Sequence, residues 1–238
     1  MFYTNDLILI HEDFINRINL VRQQTIDKFL ENNLQPSEEE IINVEFCILL
    51  THGAIEEYIE ECCKIMAETM YKIFIETNIP NECILSLAYF CNQKIENEDI
   101  NYKDIFLYHS KIIKKSKEEL HRRINKNNGI SSECIQKLLP CVGLSIFSGK
   151  METFINELSK KRGHAAHKFR GIATAYKTMT AQDAVEITVD AIELANYLKK
   201  NIEQKILNYL YIVNIVKTNK QVELINCVRQ IQAKKDKL

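Results

Sequence analysis

PSEEEIINVEFCILLTHGAIEEYIEECCKIMAETMYKIFIETN, residues 36–78, is the stretch that sets the fold class. Ser37 is placed to cap a helix, Glu40 stands three residues on, and Glu38, Glu39 and Glu40 put acid in the first turn, where the helix dipole favours it. An apolar stripe then follows Ile41, Ile48, His52, Ile55, Ile59, Cys62, Met66, Met70 and Ile73, at spacings mostly of three and four. That is the period of an α-helix with one buried face. Asn78 and Pro80 break it, so the segment predicts one long helix ending near Thr77, with His52 inside the apolar stripe.

Outward from this helix the same period recurs. Residues 5–32 carry Ile10, Phe14, Ile18, Val21, Ile26 and Phe29 on one side, and Asn32-Asn33 is the expected end. Shorter helices are predicted at about 82–94 and 103–126, the second closed by the C-cap signal Asn127-Asn128-Gly129. Ser131 or Ser132 caps a further helix to about Leu139, and Pro140 to Gly149 reads as a loop. Thr180-Ala-Gln-Asp183 resembles a capping box opening a helix with Ala184, Ile187, Ala191, Leu194, Leu198, Ile202 and Ile206 on one side. No strand pattern with a period of two extends beyond a few residues. The expected architecture is all-α, organised as an N-terminal helix packing on the bundle (1–35), a helical core (36–200) and a C-terminal helical extension (201–238) that forms a separate hairpin.

Composition agrees and narrows the function. Six Gly and three Pro in 238 residues leave little material for tight turns, and an apolar content of 46% supplies a core. The net charge is −1 and the pI about 6.6, so no global positive field draws in polyanions and any such site must be local. The eight cysteines, at 47, 62, 63, 83, 91, 134, 141 and 227, contain no C-x-x-C pair, and six sit in apolar surroundings. They are expected to be buried, reduced thiols. The opening MFYTNDLILIHEDF has no signal-peptide features and no apolar run approaches the length of a membrane span, so a cytoplasmic protein is expected. No metal, cofactor or nucleotide motif is present. His11 stands by Glu12 and Asp13 only, and His109 and His121 lack ligand-like neighbours.

One stretch asks a chemical question. KKRGHAAHKFR, residues 160–170, holds five Lys or Arg and two His with no acid. The apolar phase of Met151, Phe154, Ile155 and Leu158, continued, reaches Arg162, Ala165 and Phe169, which puts Arg162 on the buried stripe. A guanidinium there implies a paired carboxylate, a bound anion or a water-filled cleft. His167, five residues on, points about 140° away on an ideal helix. Either the helix is interrupted near Gly163, or the two residues act across an interface with a second copy, which the small Ala165 and Ala166 would let approach. His52 and Glu56, one turn apart, suit a hydrogen-bonded pair that balances the arginine; a satisfied core histidine beside an exposed glutamate is the plainer reading. For Lys160, Lys161, Lys168 and Arg170, phosphate contact and a solvated helix end both stand.

Arg162-Gly-His-Ala-Ala-His167 resembles the R-x(4-6)-H motif of the HEPN superfamily, with Leu158, Arg162, Ala166 and His167 extending the match as L-x3-R-x3-A-H. LLTHGAIEEYIEEC, residues 49–62, is similar to the first core helix of the RiboL-PSP branch. The resemblance covers roughly residues 40–200. It implies a HEPN-like bundle with long antiparallel helices and extra terminal ones, and a metal-independent endoribonuclease of the kind that serves as a toxin or antiviral defence effector. Arg162 and His167 would be the catalytic pair, with His164, Glu56 and His52 as helpers. The implied partners are RNA, a second copy in a homodimer, and a neutralising or activating protein. Where active nucleases commonly carry asparagine or another polar residue after the arginine, this chain has Gly163. A catalytically inactive module binding RNA or a partner protein is the alternative.

Overall fold

The computed structural model describes residues 5–31, 36–91, 105–167 and 179–235, the side chains of 105–111, 167 and 220–235 excepted. Among the described residues there are seven α-helices and no strand: α1 (Asn5–Thr25), α2 (Glu38–Thr77), α3 (Glu82–Cys91), α4 (Ile105–Ile124), α5 (Ser132–Ile135), α6 (Lys150–His167) and α7 (Ala181–Lys235). The all-α expectation holds.

α2 is the hub, packed against α1, α7, α6 and α3. At 40 residues it is about 60 Å long. Ser37 caps it as expected, its Oγ accepting from the Glu40 N–H at 3.1 Å, and Asn78 ends it in the left-handed conformation, φ 54°. The stripe read from the sequence is buried except for half-covered Ile41, but burial extends further round, to Val44, Cys47, Ala54, Tyr58, Cys63, Ala67 and Thr69. Neighbours on several sides explain this breadth.

Cross-helix pairs fix the directions. His11 of α1 meets Tyr58 at 3.0 Å and Lys28 meets Glu39 at 2.5 Å, so α1 runs antiparallel to α2. Tyr58 donates on to the Ala195 carbonyl of α7 at 3.3 Å. His11 therefore has a partner 47 positions away, beyond the reach of local sequence reading. At the start of α7, the backbone N–H of Ala181 donates to Glu40 Oε1 at 3.1 Å. With 40 beside 181 and 58 beside 195, α7 runs parallel to α2. Lys150 reaches Asp190 and Glu193, each at 2.8 Å, while Lys161 and Asp183 line one crevice, so α6 runs antiparallel to α7 and to α2.

Glu40 is 4% exposed, a carboxylate inside the bundle. The unpaired N–H groups and the positive dipole end of α7 meet it there. The anticipated capping box at the start of α7 is also present: Asp183 Oδ2 accepts from the Thr180 N–H at 2.7 Å and Thr180 Oγ1 accepts from the Asp183 N–H at 3.3 Å.

Three features differ from expectation. α1 stops at Thr25, whose Oγ1 donates to the Val21 carbonyl at 2.7 Å, and a 3-10 turn at Asp27–Phe29 replaces its last turns; Asn32-Asn33 lies outside the described residues. The helix predicted to reach Leu139 is a single turn, because the chain tightens into a second 3-10 turn, Leu139–Val142, with Pro140 at its start. The hairpin expected beyond residue 200 is absent: α7 passes through that point unbroken, and Ile202, Ile206, Tyr209 and Val213 continue its buried face. At Gly163, where an interruption is one of two readings of the sequence, α6 is continuous.

All seven positions foreseen on the inner face of α7 are buried. So are Cys47, Cys62, Cys63, Cys83, Cys91 and Cys141, as free thiols. Burial raises the Cys62 thiol to about 12, which keeps it protonated and unreactive. No helix among the described residues is long and apolar enough to cross a membrane.

Candidate active site

The site forms where Arg162 of α6 lies by His52 and Glu56 in the LLTHGAIEEYIEEC segment of α2, with the loop after α4 closing one side. His52 is buried, 3% exposed, and its ring lies over Gly129: a Cβ at 129 would sit 3.8 Å from both Cε1 and Nε2. Gly129 adopts φ +141°, a backbone state that a side chain would strain, and this lets the loop fold flat against the histidine.

Glu56 is one turn further along α2. Its Oε2 stands 3.9 Å from His52 Nδ1, too far for a hydrogen bond, so of the two readings of this pair the hydrogen-bonded one is not met. Glu56 instead accepts from Asn127 Nδ2 at 3.3 Å and from the backbone N–H of Gly129. The same Asn127 amide donates to Glu60 Oε1 at 2.8 Å. One asparagine thus ties two carboxylates of α2 to the loop. Burial and the like charge of Glu60 raise the Glu56 pKa, against the opposing pull of the Gly129 N–H and the Arg162 guanidinium.

Arg162 is exposed, which corrects its placement on the buried stripe. α6 covers Phe154, Ile155, Leu158 and Ala165, but at position 162 the polar groups of α2 replace an apolar floor and the side chain lies open. Its charge still bears on both His52 and Glu56, and no ion pair within 4.0 Å joins it to a described carboxylate. The guanidinium is therefore held near a carboxylate without being tied up by it.

His167 is the last described residue of α6, and its backbone continues the helix. With no break at Gly163, positions 162 and 167 keep the divergence of about 140° that an ideal helix imposes. Of the two readings, interruption at Gly163 is thereby removed. His164 and Ala166 are exposed, whereas Ala165 is packed inside its own chain; a Cβ added at Gly163 would meet open space. Lys160 and Lys161 lie on the same helix, Lys160 exposed and Lys161 half-buried. Lys168, Phe169 and Arg170 fall outside the described residues.

Sequence reading missed Asn127, Gly129 and Glu60. Asn127-Asn128-Gly129 signals a helix end, and the helix does end just before it, but nothing local marks that its amide and glycine reach residues about seventy positions earlier.

The His52 pKa is lowered to about 4, chiefly by burial and then by Arg162. At neutral pH the ring is uncharged, which fits a core histidine better than a proton carrier. In the unfolded chain it takes up a proton near pH 6.5, in the folded chain only near 4, so between those values the unfolded state binds more protons and stability falls as pH falls. The expected contribution is about 3 kcal/mol across that window. Urea melts at pH 7.5 and 4.5 should show this loss in the wild type and a shallower one in His52→Leu. Equal losses in the two would mean that His52 is not held neutral by the fold.

A family model described as RiboL-PSP-HEPN matches residues 12–204. No curated protein and no solved structure matches the chain.

Proposed function

Because this chain belongs to the RiboL-PSP-HEPN family, we propose that it is a metal-independent endoribonuclease centred on Arg162 and His167. The observation that carries the reading is the state of Arg162: a guanidinium exposed to incoming ligand, adjacent in charge to Glu56, on an unbroken helix five residues before a histidine. A planar guanidinium suits two-point contact with phosphoryl oxygens. An imidazole that titrates near neutrality suits proton transfer.

RNA contains the nucleophile. The ribose 2′-OH attacks the adjacent phosphorus once a base takes its proton; the P–O5′ bond breaks, and an acid protonates the departing 5′-oxygen. His167 moves these protons, and Arg162 stabilises the negative charge that builds on the phosphoryl oxygens. Glu56 is a positioning residue, holding the guanidinium toward the site, while His52 wedges α2 against the loop that carries Asn127.

A single helix turns residues 162 and 167 in different directions, and two copies related by a two-fold axis bring two arginines and two histidines to one cleft. The face that carries Gly163 and the exposed Ala166 allows close approach. A homodimer is therefore part of the proposal.

The products test the chemistry. Fragments should carry a 2′,3′-cyclic phosphate and a 5′-OH, shown by resistance of the 5′ ends to phosphatase and their direct labelling by polynucleotide kinase. Fragments with 5′-phosphate ends would point to attack by water and overturn the mechanism.

A further inference from the structure

Beside the site lies an open cleft of about 520 Å³ between the end of α4 and α5. Arg122, Arg123, Lys126 and Lys137 line it, together with Asn127, and neither a carboxylate nor an aromatic ring does. The chain as a whole is slightly acidic, so this concentration of positive charge is local.

Part of that charge is already engaged. Glu119 accepts from Arg122 at 2.6 Å and from Arg123 at 3.2 Å, and Glu133 pairs with Lys137 at 2.9 Å. Arg123 also donates to the Phe90 carbonyl, so it serves as a strut between α4 and α3. Two carboxylates thus face four cations, and Lys126 has no ion pair among the described residues. Cations in the last turn of α4 complement its dipole, which accounts for Arg122 and Arg123. Lys137 has only its exposed pair with Glu133, and Lys126, beyond that helix, needs another reason.

Asn127 supplies the continuity. Its amide touches Glu56 and Glu60 of the candidate active site, and the same residue lines the cleft. We propose that this cleft is a track for the RNA strand next to the cut site, with Lys126, Lys137 and Arg122 holding its backbone phosphates. The proposal rests on the nuclease reading for its choice of RNA. Without an aromatic platform the cleft does not stack bases, so it grips the backbone and is indifferent to sequence.

The probe is a labelled single-stranded RNA, 2′-O-methylated throughout so that it cannot be cut, titrated with the full chain at several salt concentrations and read by fluorescence anisotropy. Reversing two cations in Lys126→Glu/Lys137→Glu should weaken binding by about 10-fold or more, and should flatten the plot of log affinity against log salt by about 1.4, roughly 0.7 for each phosphate no longer neutralised. Lys126→Gln/Lys137→Gln, which adds no repulsion against Glu133, should flatten the slope by a similar amount. Wild-type affinity and slope in both variants, or no binding by wild type, would overturn the track. Cleavage of unmodified RNA separates the two readings: binding that depends on these lysines without any cleavage sinks the nuclease and keeps the track, whereas cleavage with unchanged KM in both variants keeps the nuclease and sinks the track.

Discussion

Arg162→Ala and His167→Ala should each lower RNA cleavage by about 10²- to 10⁴-fold, the usual worth of one proton transfer or one charge-stabilising donor, and Arg162→Ala should move the melting temperature by no more than about a degree or two. The stability half of this expectation follows from exposure. Arg162 lies open and holds no ion pair with a described carboxylate, so its removal leaves neither a cavity nor an orphaned charge. Arg162→Lys should recover little, because an ammonium cannot make the planar two-point contact with phosphoryl oxygens. If two copies share one cleft, mixing Arg162→Ala with His167→Ala and allowing exchange restores part of the rate, since a mixed dimer retains an arginine from one partner and a histidine from the other. Equal activity of both variants and wild type would remove the site assignment. A mixture no more active than its parts would show that each chain works alone.

A single 2′-deoxy or 2′-O-methyl sugar at the cut position should stop cleavage there altogether, while the same change one nucleotide away has little effect. The loss is complete rather than partial because the substitution removes the nucleophile itself; no side chain replaces it. DNA of the same sequence should be left intact for the same reason. The rate on unmodified RNA should also decline in acid, as the histidine that must accept a proton becomes charged. Full-rate cutting at a 2′-deoxy position would mean that water or a side chain attacks phosphorus, which the arrangement of Arg162 and His167 does not provide for.

Much of the fold was legible because burial in a helical bundle repeats every 3.6 residues. Ala184 through Ile206 on α7 and Phe154, Ile155 and Leu158 on α6 point inward as their phase requires. Phase, however, tells which way a residue faces and not what covers it. Arg162 illustrates the gap: it continues the inward phase of α6, but at its level α2 presents His52 and Glu56, and the guanidinium stays in solvent. The reverse holds for α2, whose outer positions such as Cys63 and Thr69 are covered because helices pack on more than one side. Glu40 looks like half of a local capping box, yet its carboxylate caps α7 from 141 positions away. Asn127 and the basic cleft are hidden for a similar reason. Arg122, Lys126 and Lys137 are spread along the chain and do not form a run, and only the turn between α4 and α5 gathers them. Gly163 is compatible with a break, but a glycine costs a helix about 1 kcal/mol, less than the packing of α6 on α2 and α7 returns.

Incubation of the purified chain with total RNA in EDTA, beside an equal amount of His167→Ala, is the most direct test of the central claim that side chains alone carry out the cleavage. In the proposed mechanism every group the reaction needs, the proton carrier, the phosphoryl ligand and the nucleophile, comes from the protein or the RNA, so wild type should cut at full rate with the chelator present and the variant should leave the RNA intact. Loss of wild-type cutting in EDTA with recovery on adding a divalent ion, or cutting by His167→Ala at the wild-type rate, would contradict it.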